Sequence, residues 1–348
     1  MMSDSSPAFS TPLSELAALQ LNSLAPFTAR DGENLAIYEW QDANDVNEIS
    51  RCMTLPRAVV LIVHGLGEHA GRYQHVAYQL MRWGFMVRAY DQRGHGESGG
   101  ARGALPLENT LLDDLAEVVD FSRGRCLQLI NAAGAGHGSP GYTALPPLPP
   151  LILMGHSLGG LVASRFVALD MRLVEGLVLC SPALDAGLGR LRKLVLAAVH
   201  RVAPALSVPN GLDASYLSHD QEVIRQYRAD PLVHKKTSAR LARFVLKSGP
   251  PTIEAAARWH IPTLLMYAGA DRLVNPAGSR AFASRAAGPG VAPGLVTARG
   301  FEHLYHELYN ELEADAVFDT LKAWLDTRFP SAALEYGQNR PVVQVNTA

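Results

Sequence analysis

Short β-branched or aliphatic runs alternate with helix-length segments along most of the chain. The runs at 35–41, 58–64, 85–90, 151–155, 173–180, 263–268 and 295–299 read as strands, and the stretches 72–83, 108–129, 158–170, 276–286 and 311–327 read as helices. Strands that are apolar on consecutive positions and spaced by helices predict an α/β fold with a mostly parallel central sheet covered on both faces.

Two stretches break the alternation. Residues 131–150 are rich in Gly, Ala and Pro and predict a surface loop or insertion. Residues 182–258 carry helical apolar patterns without a clear strand, yet strands flank them, so they predict a helical cap inserted after the sixth strand. There Leu188, Leu191, Val195, Ala198, Val199 and Val202 recur at helical spacing, with Arg190, Lys193 and Arg201 off that stripe. Such a helix packs on the core, or it is a lid that touches lipid surfaces. The organisation expected is a core in two parts, 26–181 and 259–329, around the cap, with poorly ordered tails at 1–25 and 330–348.

Composition narrows the partners. With 31 Lys and Arg against 33 Asp and Glu in 348 residues, electrostatic attraction to nucleic acid or acidic lipid is not expected. Cys52, Cys126 and Cys180 are too scattered for a disulfide framework or metal knuckle, and Cys180, at a strand end, reads as buried filler. The N-terminus lacks the basic and apolar regions of a signal peptide, and no apolar run is long enough to span a bilayer, so a cytoplasmic chain is expected. No phosphate-binding Gly loop or helical His pair is present, so neither a cofactor nor a metal is expected.

The strongest local signal is Gly155-His156-Ser157-Leu158-Gly159-Gly160, between an apolar strand run and a helical pattern. It predicts a nucleophile elbow: glycines two residues either side of Ser157 permit a tight strand-to-helix turn that exposes a strained serine. The helix N-terminus then directs positive dipole at a developing oxyanion.

A hydroxyl needs a base, and in this motif the order is serine, acid, histidine. Asp271 follows the strand run at 263–268, and His303 follows the next one, so both reach the sheet edge that carries Ser157. His303 would be the base and Asp271 its orienting acid. Asp185 is the alternative acid and His306 the alternative base. The loop His64-Gly65-Leu66-Gly67-Glu68 follows an upstream strand and would add the Leu66 amide to that of Leu158 as oxyanion donors. The run Asp91 to Ser98, with His95 ahead of the nucleophile, reads as a structural loop.

Together these residues resemble the monoacylglycerol lipases and lysophospholipase-like proteins of the α/β-hydrolase fold. The likeness is carried by H-G-L-G-E-H-A-G-R-Y from His64, D-Q-R-G-H-G-E-S from Asp91, G-H-S-L-G-G from Gly155, S-P-A-L from Ser181, G-A-D-R-L-V from Gly269 and F-E-H-L-Y-H-E-L from Phe301. It implies a serine esterase acting on a small lipid ester such as a monoacylglycerol, with Glu68, Arg72, Tyr227 and His306 near the glycerol group. A loop salt bridge for Glu68 and Arg72, and a packing role for Tyr227, are the alternatives. A broader carboxylesterase, a lysophospholipase, or an aminopeptidase using Glu68 to hold a free amine are the competing activities, and a non-catalytic binding protein on the same fold is the competing class. The longer segment at 42–57, the 131–150 insertion and both extended ends depart from the pattern.

Overall fold

The structure is a computed structural model that describes residues 19–24, 27–42, 56–135, 147–187 and 189–331. Most of both expected tails and of the 42–57 segment, and the middle of the 131–150 insertion, lie outside the described residues.

Eight strands form one sheet: β1 (Leu19–Ser23), β2 (Ile37–Asp42), β3 (Val59–Val63), β4 (Met86–Tyr90), β5 (Leu151–His156), β6 (Gly176–Cys180), β7 (Thr263–Ala268) and β8 (Val296–Phe301). Their spatial order is β1-β2-β4-β3-β5-β6-β7-β8. The β1–β2 and β2–β4 pairs are antiparallel, and every pair from β4 to β8 is parallel. The main helices are α1 (Gln74–Arg82), α2 (Thr110–Ala135), α3 (Ser157–Ala168), α4 (Arg190–Val202), α5 (Gln221–Ala229), α6 (Ala239–Ala255), α7 (Ala277–Ala286) and α8 (Ala314–Arg328).

The central strands are buried on both faces, which explains their unbroken apolar runs. Successive side chains point to opposite faces: Leu61, Val63, Leu153, Leu177, Leu179 and Leu265 join one core with α2, α3, α6 and α7. Val60, Ile62, Ile152, Met154, Val178, Leu264 and Met266 join the other with α1 and α8. Cys180 belongs to this second core and is buried there, its thiol pushed up by desolvation.

Three sequence expectations need correction. Residues 19–23, assigned to a poorly ordered tail, form the antiparallel edge strand; the register Leu19 to Asp42 through Ser23 to Tyr38 supplies hydrogen bonds that no local pattern announces. Helix α2 runs to Ala135, past the start of the expected loop, because its Ala-rich end favours helix over the Gly and Pro that follow. The stretch 182–258 is not uniformly a cap. Helix α6 buries Leu241 and Phe244 in the core of the sheet, leaving α4, α5 and the short antiparallel pair of Ser207–Pro209 with Lys236–Ser238 outside that layer.

Candidate active site

Ser157 sits at the junction of β5 and α3 with φ 51°, a left-handed conformation uncommon for a non-glycine residue. The turn closes because its flanking positions are glycine. A Cβ on Gly155 would lie 2.5 Å from the Gly159 carbonyl oxygen, and one on Gly159 would lie 2.0 Å from that of Val63. Both positions therefore exclude any larger residue. The Ser157 carbonyl accepts the Ala183 amide at 2.9 Å, which anchors the elbow to the chain leaving β6.

The loop after β3 lies against this elbow: a Cβ on Gly65 would sit 3.2 Å from that of Ser157. Leu66 follows Gly65 in this loop, and Leu158 is the second residue of α3, so both expected oxyanion donors belong to segments that meet at Ser157. The loop is held from beneath. Gln92 donates its amide to His64 Nε2 at 2.9 Å, leaving His64 Nδ1 to donate to the Gly65 carbonyl at 2.8 Å. The segment from Asp91 to Ser98 is a brace in this fold: Asp91 accepts the amides of Ala70 and Glu97, each at 2.8 Å.

Beyond β7, Asp271 Oδ1 accepts the Leu273 and Val274 amides at 2.8 and 2.9 Å. Its Oδ2 lies 2.6 Å from a histidine Nδ1, and that histidine is His306, not His303. This corrects the expected pairing. His303, two residues past the end of β8, is exposed and has no hydrogen bond or ion pair with any described residue. His306 lies a turn later, where the chain folds back under the cap, and is buried. Asp185, the alternative acid, instead accepts Asn275 Nδ2 at 2.7 Å.

Burial disfavours a charged His306, but the charge and hydrogen bond of Asp271, with Glu307 and Glu68 nearby, outweigh it and hold its pKa above the usual value. Burial likewise opposes ionisation of Asp271, yet His306 and the two amides keep its carboxyl below the usual range. The His306 ring stands 4.7 Å from that of His156, the residue before Ser157. His156 itself is brought down to about 4 by burial and by His306, so it stays neutral.

Glu68 and Arg72 form a salt bridge with each other. Arg72 bonds Glu68 Oε2 at 2.6 Å and grips Glu307 through both Nη atoms at 2.7 and 2.8 Å. The other Glu68 oxygen accepts the Gly65 amide at 2.5 Å and the Tyr73 hydroxyl at 2.7 Å. Tyr227 is buried with its ring 4.8 Å from the Arg72 guanidinium. Each of the four residues associated with glycerol makes contacts within the protein, and Arg72 ties Glu68, in the loop after β3, to Glu307, beside His306. Glu307 and Gln92 were not singled out by the sequence; their partners lie far away along the chain, and no local motif marks them.

Among the described residues no group of three metal-binding side chains occurs, and no helix is long and apolar enough to cross a membrane.

The chain is similar to known hydrolases and lipases. The profile of the family described as serine aminopeptidase, S33, matches residues 54–313. The monoacylglycerol lipase of Mycolicibacterium smegmatis is 36% identical over 275 residues, spanning 78% of this chain and 89% of the relative. A phospholipase of Bacillus subtilis is 31% identical over 279 residues, spanning 78% and 96%. Among solved structures, the monoacylglycerol lipase of Paleococcus ferrophilus is 29% identical with a TM-score of 0.64, covering 79% of this chain and 96% of that one. The monoglyceride lipase of Saccharomyces cerevisiae, 19% identical at a TM-score of 0.72 over 89% and 96% of the two chains, shares the fold. With a strained serine at a strand-to-helix turn and a buried Asp–His pair beside it, this chain belongs to the α/β-hydrolase family of serine hydrolases, in the clan of monoacylglycerol lipases, lipases and esterases.

Proposed function

We propose that this protein cleaves carboxylic esters through an acyl-enzyme on Ser157, with His306 as base and Asp271 as its orienting acid. The observation that carries the proposal is the buried Asp271–His306 pair, set by the ring of His156 against the elbow. Since Asp271 accepts from Nδ1, the Nε2 lone pair of neutral His306 is the one left to take the Ser157 proton. Ser157 Oγ attacks the ester carbonyl, and the amides of Leu66 and Leu158 receive the oxyanion. His306 then passes its proton to the departing alcohol. Water, deprotonated by His306, attacks the acyl carbonyl; the adduct collapses by breaking the bond to Ser157 Oγ, which takes the proton back from His306 as the acid leaves.

A monoacylglycerol is the substrate we infer, on the likeness to the Mycolicibacterium smegmatis lipase. The Bacillus subtilis relative favours a lysophospholipase as the second reading. An aminopeptidase is disfavoured, because both oxygens of Glu68, the acid that would hold a free amine, are already engaged. Transient contact with lipid surfaces is supported by the cap. A cleft of about 370 Å³ lies between α4, the paired strands Ser207–Pro209 and Lys236–Ser238, and α6, lined by Val195, Leu196, Val199, Leu206 and Val208. Val202, at the end of α4, is 86% exposed.

The test compares the purified protein with its Ser157→Ala variant on monoacylglycerols, lysophospholipids, short nitrophenyl esters and aminoacyl amides. Turnover of the monoacylglycerol above the other esters, lost in the variant, is expected. Full turnover by the variant overturns the mechanism, and a preference for lysophospholipid or amide overturns the substrate.

A further inference from the structure

The insertion after β6 does not merely lie over the site; one of its segments is bonded to the loop that carries His306. From Tyr216 to His219 the chain runs alongside Tyr305 to Glu311 and makes a series of contacts with it. Glu307 donates its amide to the Leu217 carbonyl at 2.8 Å, and the His306 amide reaches the Tyr216 carbonyl at 3.5 Å. The Ser218 hydroxyl donates to the Asn310 carbonyl at 2.7 Å.

Glu311 joins the two strands of this contact. Its Oε1 accepts the Tyr305 amide at 2.6 Å and lies 2.8 Å from His219 Nδ1, while Oε2 accepts the His219 amide at 3.1 Å. The His219 ring stacks on that of Tyr305, with centroids 3.7 Å apart and planes 22° from parallel. The carboxylate is buried, with a side-chain exposure of 1%. A buried carboxylate with this many donors fixes them relative to one another, since losing any one leaves charge uncompensated. The same cap segment also reaches the acid loop. Arg272, next to Asp271, stacks on Tyr216 at 4.8 Å, and Leu273 packs against Ala214, Leu217 and Tyr227.

We propose that Glu311 and His219 are positioning residues, which fasten the segment 216–219 of the cap to the loop of His306 and so hold that base against Asp271. It follows that this end of the cap is a fixed part of the catalytic frame. The inference rests on His306 being the base, as proposed above.

Its physical basis is the short span involved. His306 is five residues from Glu311 and one from Tyr305, so release of the Tyr305 amide and the His219 side chain lets the whole turn shift. A displacement of about 1 Å at a catalytic group costs on the order of a hundredfold in rate. It also weakens the Asp271 contact that, with Glu307 and Glu68, raises the His306 pKa against the opposing effect of burial.

The experiment uses the full chain and a short nitrophenyl ester, whose small leaving group makes no demand on an alcohol subsite. Glu311→Ala, Glu311→Gln and His219→Phe are compared with the parent for kcat, KM and the acid limb of the kcat/KM profile. His219→Phe keeps a ring over Tyr305 at a side chain that is 41% exposed, so it remains informative if Glu311→Ala does not fold. Expected for Glu311→Ala is a kcat lower by about ten- to a hundredfold with KM within about twofold, and an acid limb moved to lower pH. Glu311→Gln, which still accepts the Tyr305 amide, should recover part of the kcat. An unchanged kcat and limb in folded Glu311 variants and in His219→Phe overturns the proposal, as does a rise in KM alone. His306→Ala measured alongside separates the two ideas: if it keeps activity, the assignment of the base fails; if it is inactive while the Glu311 and His219 variants are normal, only the brace fails.

Discussion

Asp271 holds His306 at 2.6 Å, with both side chains at 4% exposure or less, while His303 stands in solvent three residues earlier on the same loop. The two histidines are chemically identical, so what separates them is where the chain turns after β8. Glu302 continues outward, its carboxylate 2.9 Å from Arg280 at the surface, and His303 goes with it. The chain then re-enters the protein, with Leu304 buried, and delivers His306 beneath the cap. A base that must accept a proton in a water-poor site, and then be stabilised as an imidazolium, needs the second position.

Replacing His306 by Ala should lower kcat by about 10⁴-fold or more, because Ser157 then lacks a proton acceptor. His303→Ala should stay within about threefold of the parent, as expected of an exposed side chain. Rates of Ser157 labelling by a fluorophosphonate, read on both variants, check the assignment without regard to ester preference. Loss of labelling in His303→Ala with retention in His306→Ala would reverse the roles.

The pH dependence follows from the same pair. Only neutral His306 can act as base, and Asp271 outweighs burial to raise its pKa, so kcat/KM should fall as pH drops through a value above about 6.5, the usual one for histidine. Stability should move the opposite way. The contribution of protonated His306 is fully present below the unfolded pKa and is lost as pH rises through the raised folded value. Asp271→Asn should bring the acid limb down while reducing kcat. A limb that stays in place in this variant would show that another group titrates there.

Much of this was legible from the chain. The two-sided burial of β3, β5, β6 and β7 is written in consecutive apolar residues, and the elbow is written in Gly155, Ser157 and Gly159, since the turn tolerates no Cβ at its flanking positions. Strand order points to Asp271, and the contact with His306 separates it from Asp185, which bonds Asn275 instead. Strand order does not choose between His303 and His306, because chain order permits both and the choice depends on contacts of the His306 loop with Tyr216 and Leu217, far away along the chain in the insertion. The same holds for Glu68. Its position in a shared motif suggests a ligand contact, and its bonds to Arg72 and Tyr73 are local, but the extension through Arg72 to Glu307 can be known only once the loops after β3 and β8 are brought together. Leu19–Ser23 was hidden for a related reason, as an edge strand owes its conformation to the register with Tyr38–Asp42 more than to its own residues.

Gly159→Ala tests the elbow packing directly. Its new methyl would lie 2.0 Å from the Val63 carbonyl oxygen and 2.4 Å from that of His64, both backbone atoms at the root of the oxyanion loop. Relief requires α3 to back away from β3, at about 1–3 kcal/mol or more. Denaturant unfolding should show that loss, and kcat should fall together with it, since the amides of Leu66 and Leu158 separate as α3 moves. A variant with parent stability and parent kcat would mean that the elbow and loop are not in contact.

Arg72 gives the most demanding prediction, because two carboxylates depend on it. Burial opposes ionisation of Glu68, but Arg72, together with His156 and His64, holds its pKa at about 2, and Arg72 likewise outweighs burial to keep that of Glu307 low. Arg72→Met leaves both acids buried without a counter-charge, which costs about 3–5 kcal/mol when one partner of such a group is removed. Part of that loss should return in Arg72→Met/Glu307→Gln, where one of the two charges is gone, and little should return in Arg72→Lys, which cannot bond Glu307 through two nitrogens. Activity should not follow stability in parallel. Glu68 still orders the Gly65 amide in the double variant, so its kcat should recover further than its stability, whereas Glu68→Gln, with Arg72 intact, should lose kcat through the loosened oxyanion loop at a smaller cost in stability. Unfolding free energies and kcat measured on these four proteins separate the two effects. If kcat merely tracks stability through the whole set, the Glu68 link to the oxyanion loop carries no catalytic consequence.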